Sequence, residues 1–129
     1  MYLFIRTCPK TSVNSLLVPI PSHPKRIRER GFNTVYEFVR LISQHINIEY
    51  DLNLLRRVKY TETQTGKTKI ERRQNVKHAF ELKKQITYEN IILFDEVVTT
   101  GATVNEACKA LKKAGAKNIH IWCIARTSK

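Results

Sequence analysis

Cysteine is scarce in this sequence of 129 residues. Cys8, Cys108 and Cys123 are widely separated, and no Cys-x-x-Cys pair is present. An odd number of distant cysteines argues against a disulfide framework, and the missing pair argues against a cysteine-based zinc site. We therefore interpret the three cysteines as reduced thiols, which pack in a protein core as small apolar side chains.

Long apolar runs are also missing. No stretch approaches the ~20 apolar residues that a membrane-spanning helix needs. The short apolar start at Met1 runs directly into Arg6 and the Cys8-Pro9 pair, unlike a signal peptide. We find no internal repeat or low-complexity segment. Together these absences predict a cytoplasmic protein without a membrane span.

Acidic residues are few, with 11 Asp and Glu against 23 Lys and Arg, and the formal net charge is +12. The cations are concentrated in two clusters, Lys25 to Arg30 and Arg56 to Lys84. A surplus of this sign suits anionic partners such as phosphate ligands or nucleic acid. Simple solvation of a basic surface explains these clusters equally well, so the sequence leaves all three interpretations open.

The length and the 42% hydrophobic composition predict one domain over residues 1–129, in which residues 1–14 form a poorly assigned N-terminal remnant. Leu16 to Ile20 is a short apolar run followed by Pro21, and it predicts a strand that leads into a loop. Apolar residues then recur at helical spacing from Val35 to Ile46. This periodicity predicts a helix with one buried face and with Asn33 as its N-cap.

The middle of the chain is more polar. Asp51 to Val58 predicts a short strand, and Phe80 to Leu82 predicts another. Between them, Tyr60 to Lys77 shows no clear periodicity, which favours a loop with a possible short helix near Ile70.

The last 40 or so residues contain the best-marked elements. Ile91 to Phe94 is a continuous apolar run, as expected of a strand buried in a parallel sheet. Thr103 and Glu106 have the spacing of a helix capping box, and Gly115 stands where the C-cap of that helix belongs. Ile119 to Ala125 predicts a further strand. A strand, a helix and a strand in this order predict a right-handed βαβ unit in a small parallel sheet covered by helices.

The segment Ile91 to Thr103 combines this strand with two acids and a small, hydroxyl-rich turn that opens a helix. Backbone N–H groups of such a turn form an anion site, and threonine hydroxyl groups suit phosphate oxygens. Asp95 and Glu96 would repel a phosphate, but their carboxylates can accept hydrogen bonds from the hydroxyl groups of a sugar attached to it. The pattern therefore predicts a sugar phosphate site.

These thirteen residues resemble the phosphoribosyl pyrophosphate signature of type I phosphoribosyltransferases, except that Glu96 stands where the family usually has Asp. Further segments resemble the competence-associated ComF branch of that family in order and spacing, among them Val18 to Pro21, Arg30 to Asn33, Arg56-Arg57, Thr63-Gln64, Arg72 to Val76, Ala79-Phe80 and Ala125-Arg126. The resemblance implies the phosphoribosyltransferase type I fold, an α/β parallel sheet flanked by helices, in a small or truncated form.

The resemblance also implies roles for individual residues. Asp95 and Glu96 are expected at the ribose hydroxyls, Arg30 at the pyrophosphate, and Arg72 and Arg73 closing over the ligand. The 5′-phosphate is expected to be held by Thr99, Thr100, Gly101, Ala102 and Thr103. Magnesium would bridge the pyrophosphate and ribose oxygens, without direct protein ligands.

Two functions follow from these expectations. One is an enzyme that binds phosphoribosyl pyrophosphate, or ribose 5-phosphate, and transfers phosphoribosyl to an unidentified nitrogenous acceptor, as in nucleoside metabolism. Purine salvage is disfavoured, because Thr99 replaces the acid that often serves the purine base. The other is a non-catalytic module in DNA uptake that senses phosphoribosyl pyrophosphate or binds single-stranded DNA.

The resemblance extends to partners. Competence proteins are expected to bind this chain, and a homodimer is possible. The ComF branch commonly carries an N-terminal cysteine-rich zinc module. Here only Cys8 precedes the domain, so we expect that module to be missing, or removed by truncation.

Overall fold

The computed structural model describes residues 4–5, 14–21, 34–58, 68, 70–71, 77–82, 84–98 and 101–126. In chain order the elements are β1 (Phe4–Ile5), β2 (Ser15–Pro19), α1 (Thr34–Ile46), β3 (Glu49–Tyr50), β4 (Leu55–Arg57), β5 (Phe80–Leu82), β6 (Asn90–Val98), α2 (Ala102–Lys113) and β7 (Asn118–Arg126). No helix in these ranges is long and apolar enough to cross a membrane.

In the described part of the chain, five strands form one sheet in the order β1-β7-β6-β2-β3. The pairs β2 with β3, β2 with β6 and β6 with β7 are parallel, and only β1 runs antiparallel, beside β7. The central strand β6 starts with the apolar run that the sequence marks, and all four of its residues from Ile91 to Phe94 are fully buried. The predicted α/β fold with a mostly parallel sheet flanked by helices is therefore confirmed.

The two faces of the sheet carry separate apolar clusters, because successive residues of a strand point to opposite sides. On the face that we call the α2 face, Ile91 and Leu93 pack with Val104, Ala107 and Leu111 of α2. On the opposite α1 face, the cluster consists of Leu17, Val35, Val39, Ile48, Ile92, Phe94 and Trp122. The apolar residues that recur at helical spacing in each helix are thus the ones that pack against the sheet.

Strands β4 and β5 pair antiparallel as a separate hairpin. The hairpin lies on the α2 face, since its Leu55 and Phe80 join the same cluster as Leu93. The sequence predicts each of these strands, although only Leu55–Arg57 of the predicted range Asp51 to Val58 is extended. Of the predicted 60–77 loop, Ile70 and Glu71 are helical and most other residues lie outside the described part of the chain.

The predicted capping box at the start of α2 is wrong. The N-cap is Gly101 with φ 82°, no side chain among the described residues caps the helix, and Thr103 is already its second helical residue. Glu106 instead accepts the backbone N–H of His78 at 3.4 Å and lies 3.2 Å from the ammonium of Lys109. A left-handed glycine turns the chain directly into the helix, so the carboxylate faces the hairpin and not the helix start.

The other end of α2 follows the expected pattern. Ala114 is the C-cap, and Gly115 adopts φ 106° in the next position. The N–H of Gly115 bonds to the carbonyl of Lys112, and the N–H of Ala116 bonds to that of Leu111, both at 3.0 Å. This is a Schellman ending, in which glycine supplies the left-handed residue at low steric cost.

One edge of β2 carries proline. Leu17 accepts the N–H of Asp51 on the β3 side at 3.1 Å, whereas the N–H of Ile20 bonds to Phe94 on the β6 side at 2.9 Å. Alternate residues of a parallel strand bond to opposite neighbours, so Pro19 and Pro21 face the β3 side, where neither offers an N–H. The described β2–β3 ladder accordingly ends at Leu17, before Pro19.

Candidate functional site

Two acids lie where the central strand extends past its neighbour. Strand β2 ends at Pro19, opposite Phe94, while β6 continues through Asp95 and Glu96 to Val98 beside β7. These residues are at the carboxyl end of the parallel strands. In open α/β sheets, ligands bind in the crevice at this end.

Asp95 is partly buried, and burial raises the pKa of its carboxyl group from 3.8 to about 6. The backbone N–H of Glu96 donates to Asp95 Oδ1 at 2.8 Å and lowers the pKa, the Glu96 carboxylate raises it, and Arg57 lowers it. A carboxylate with such a pKa still ionises at neutral pH, where it can accept hydrogen bonds from hydroxyl groups.

The structure brings Asp95 and Glu96 together along the chain but does not place them on one face. Both belong to an extended strand, so their side chains leave the backbone in opposite directions. Asp95 continues the α2 face after Leu93. Within the described ranges, no ion pair includes either carboxylate.

Helix α2 begins seven residues after Asp95, at Ala102. The carbonyl of Gly101 accepts the N–H of Asn105 at 2.8 Å, and a Cβ built on Gly101 would meet no atom within 4 Å. The first turn contains no acidic residue, whereas Lys112 and Lys113 occupy the last turn. The helix dipole therefore has no negative side chain at its positive end, as expected of an anion site. Thr103 is partly exposed there, and Ala102 is buried.

The hairpin adds a cation that sequence reasoning did not assign. Arg57 lies opposite Phe80 in the β4–β5 register, and its guanidinium carbon is 5.3 Å from the centre of the Phe80 ring. The N–H of Val58 bonds to the carbonyl of Ala79 at 2.7 Å and closes the hairpin beyond this pair. The sequence shows Arg57 only as one of two adjacent arginines. Because side chains alternate along a strand, the alternation is the signal that could have shown that Arg56 and Arg57 point to opposite faces.

Five predicted site residues, Arg30, Arg72, Arg73, Thr99 and Thr100, lie outside the described residues. The described members of the predicted site are Asp95, Glu96, Gly101, Ala102 and Thr103. Among described residues, no group of three or more His, Cys, Asp or Glu side chains could hold a metal ion.

A separate cleft of about 610 Å³ opens at the amino ends of β2 and β6. Its polar groups are paired with one another: the Tyr88 hydroxyl donates to the Glu49 carboxylate, and the Lys84 ammonium lies 3.4 Å from Asp51. This cleft is at the opposite end of β6 from Asp95. Its carboxylates are thus engaged within the protein.

Comparison with known proteins gives a consistent result. A family model described as "Phosphoribosyl transferase domain" matches residues 34–129. The chain is 36% identical over 132 residues to Competence protein F of Haemophilus influenzae, covering 98% of this chain and 58% of that protein. It is 34% identical over 110 residues to Competence protein ComFC of Streptococcus pneumoniae, covering 84% and 47%.

A third relative is the DNA utilization protein YhgH of Escherichia coli O157:H7, which is 32% identical over 111 residues. That alignment covers 86% of this chain and 49% of the relative. The chain spans about half the length of the curated relatives that it matches.

Proposed function

Since this chain belongs to the phosphoribosyl transferase domain family, in its competence-associated ComF branch, we propose that it binds phosphoribosyl pyrophosphate and transfers the phosphoribosyl group to a nitrogenous acceptor during DNA utilization. The observation that carries the proposal is the order of features at the carboxyl end of the sheet, where Asp95 and Glu96 lie in the last part of β6 and the left-handed Gly101 opens α2.

The 5′-phosphate is assigned to the start of α2. Amide groups of the first turn and the Thr103 hydroxyl supply hydrogen-bond donors, and the helix dipole favours a negative group. Because Gly101 has open space in place of a side chain, a phosphate can approach the backbone closely. Thr99 and Thr100 complete the predicted set.

The ribose is assigned to the acids. Asp95 accepts hydrogen bonds from ribose hydroxyls on the α2 face, and Glu96 is proposed beside it at the carboxyl end of β6. Positive charge develops at ribose C1 as pyrophosphate leaves, and nearby carboxylates stabilise it. Arg30 is proposed at the departing pyrophosphate, and Arg72 and Arg73 above the ligand.

Magnesium fits this arrangement as a companion of the ligand. The ion prefers octahedral oxygen coordination and commonly combines few carboxylates with phosphate oxygens and water. Bound to the pyrophosphate, it would neutralise part of the leaving-group charge. The described residues then have only to orient the sugar and the phosphate.

The first test is calorimetric titration with phosphoribosyl pyrophosphate, with and without magnesium. We expect D95N to weaken binding at least tenfold, because a buried ligand hydroxyl loses a charged acceptor, worth about 1.5–3 kcal/mol. E89Q is the matched control, since Glu89 is an exposed acid just before the other end of β6. Equal affinity of D95N and wild type would refute the ribose assignment.

Turnover is tested separately by measuring pyrophosphate release with a panel of nitrogenous acceptors. Release with one acceptor that D95N abolishes supports an enzyme. Tight ligand binding without release from any acceptor would instead support a sensing module that uses the same pocket.

A DNA-binding function is the second candidate, and a specific observation favours it. The outer surface of α2 and the turn after it present exposed lysines at 109, 112, 113 and 117, and the whole chain carries a formal charge of +12. Such a surface suits the phosphates of single-stranded DNA. A homodimer and contacts with competence proteins are further proposals, which sedimentation of the protein alone and with those partners would check.

A further inference from the structure

A groove of about 530 Å³ runs between the β4–β5 hairpin and the second half of α2. Phe80 and Leu82 line its hairpin side, and Ala110 and Ala114 line its helix side. Leu82 and Ala110 are each partly exposed. The floor of the groove is therefore apolar and is only partly covered by the residues that the structure describes.

Two hydrogen bonds hold the walls of this groove together. Before the groove, the backbone N–H of His78 donates to the Glu106 carboxylate at 3.4 Å. Beyond it, the N–H of Ile86 donates to the carbonyl of Ala114 at 3.0 Å. Between Glu106 and Ala114 the helix rises roughly 12 Å, at about 1.5 Å per residue. Because the hairpin side is tied to the helix at two points, the groove is part of the fold.

Lysine side chains lie at both edges of the groove. Lys113 lines it from α2, is exposed, and forms no ion pair with any residue that the structure describes. Lys84 lines it from the hairpin side, and its side chain is 68% exposed although its ammonium lies 3.4 Å from Asp51. An exposed ion pair of this kind contributes little to stability, so Lys84 can exchange its partner at small cost.

The charge along the groove is positive. Glu81 also lines it, but Glu81 lies opposite Arg56 in the β4–β5 register, and both are exposed. Opposite charges at facing positions of a ladder attract each other, so Arg56 offsets this acid. Lys109 is exposed one helical turn before Lys113, on the same side of α2. An anionic partner is thus favoured over a cationic one.

We infer that this groove docks an acidic segment of a partner protein, with aliphatic side chains of the segment between Leu82 and Ala110 and its carboxylates at Lys84 and Lys113. The apolar floor favours aliphatic side chains because their burial removes them from water. The lysines favour acids by electrostatic complementarity. The groove lies toward the end of α2, away from Gly101, so the inference goes beyond phosphoribosyl binding and does not depend on it.

Two other occupants match the groove less well. A second copy of this chain carries the same formal charge of +12, so the two copies repel each other. Grooves for single-stranded DNA stack bases on accessible aromatic rings. The Phe80 ring is 7% exposed and already holds the Arg57 guanidinium, whose carbon is 5.3 Å from the ring centre. DNA would therefore contact the lysines of α2 without entering the groove.

The first measurement selects ligands for the folded wild-type protein from displayed random peptides of about twelve residues, a length in excess of the roughly four extended residues that span ~12 Å. We expect the enriched peptides to combine Asp or Glu with aliphatic residues. Their binding should shift the backbone amide NMR signals of Leu82, Ala110 and Ala114. Enrichment of peptides without an excess of acids, or of none above background, would overturn the inference.

Two adjacent lysines of α2 provide a matched variant and control. K113E should bind the selected peptide about five- to tenfold more weakly than wild type, because it places a like charge beside the carboxylates of the peptide. K112E makes the same change at an exposed residue that does not line the groove, and its affinity should stay within about twofold of wild type. Equal losses in both variants would overturn the inference in favour of diffuse attraction to a positive surface.

The variant A110E tests the apolar floor. A glutamate there fills the groove and repels the acids of the peptide, so binding should weaken more than about tenfold. Thermal unfolding shows whether A110E is folded, and the comparison of K113E with K112E decides the question if it is not. D95N should bind the peptide like wild type, so a failure of phosphoribosyl binding and a failure of peptide docking are distinguishable.

A labelled single-stranded thymidine oligonucleotide tests the competing occupant. It should leave the amide signals of Leu82 and Ala110 unchanged, and K112E and K113E should weaken its binding to the same extent. An oligonucleotide that shifts these signals and displaces the selected peptide would assign the groove to DNA and overturn the inference.

Discussion

At the scale of single residues, Asp95 combines a proposed role at the ribose with a cost to folding. Its pKa of about 6 in the folded protein exceeds the ordinary value of 3.8, mainly because of burial. A raised folded-state pKa means that the folded protein binds this proton more tightly than the unfolded chain does. The free energy of unfolding therefore falls as pH rises from about 4 to 6 and stays reduced above that range.

Replacing Asp95 should thus stabilise the protein near neutral pH while weakening ligand binding. We expect D95N to raise the free energy of unfolding at pH 8 by about 1–3 kcal/mol relative to its effect at pH 4, since one pKa unit corresponds to about 1.4 kcal/mol. The Asn oxygen can still accept the N–H of Glu96. Urea unfolding at both pH values measures the difference, and E89Q should show none. A D95N effect that is independent of pH would contradict this account.

At the scale of elements, α2 begins and ends with a left-handed glycine, but only its start faces the proposed ligand. Gly101 has φ 82° and Gly115 has φ 106°; a Cβ at Gly101 would meet no atom within 4 Å, and one at Gly115 would lie 3.7 Å from its nearest neighbours. An alanine at either position would therefore destabilise the protein through its left-handed backbone conformation more than through steric crowding of its Cβ.

This symmetry provides a matched pair of variants. G101A and G115A should each lower the free energy of unfolding by about 1–2 kcal/mol, the cost of a left-handed conformation with a Cβ. Only G101A should weaken binding of phosphoribosyl pyrophosphate, because it alters the turn assigned to the phosphate. Thermal unfolding and calorimetry separate the two effects. Equal loss of affinity in both variants would indicate a general effect of helix stability.

The elements that the sequence predicts best are those whose burial follows a simple pattern. The apolar run from Ile91 to Phe94 and the helical spacing of Val104, Ala107 and Leu111 need no partner to be recognised. Strands β1 and β3 have only two residues each and exist through hydrogen bonds to a neighbouring strand, which local sequence does not reveal. The orientation of Arg57 was missed for the same reason, since it depends on pairing between distant segments.

The capping box at Thr103 shows a different limit. Thr103 and Glu106 have the spacing of the motif, but the position at which a helix starts depends on the backbone that precedes it. Gly101 takes a conformation open to few other residues, so the helix begins one residue before Thr103. The left-handed conformation of Gly101, which sets the start of the helix, is visible only in the structure.

At the scale of the whole molecule, charge separates the two candidate functions. The formal charge is +12, and the exposed lysines late in α2 lie at the opposite end of that helix from the proposed phosphate site. A DNA-binding surface there would work independently of Asp95. The two activities can therefore be removed one at a time.

We expect the double variant K112Q/K113Q to weaken single-stranded DNA binding and to reduce the slope of log affinity against log salt by about 1.4, as ~0.7 per phosphate contact predicts. Fluorescence anisotropy between about 50 and 200 mM salt measures this slope. D95N should leave it unchanged. An unaltered slope in K112Q/K113Q would place any DNA contact elsewhere.

The prolines at the rim of β2 affect how copies of the protein meet. An exposed sheet edge with regular donors and acceptors is a template on which another chain can add a strand, and this is a common start of aggregation. Pro19 and Pro21 have no backbone N–H to donate on this side, so a strand from another molecule would lack two successive hydrogen bonds if it paired here. The rim thus discourages uncontrolled growth of the sheet into fibrils, even though β3 covers only part of it.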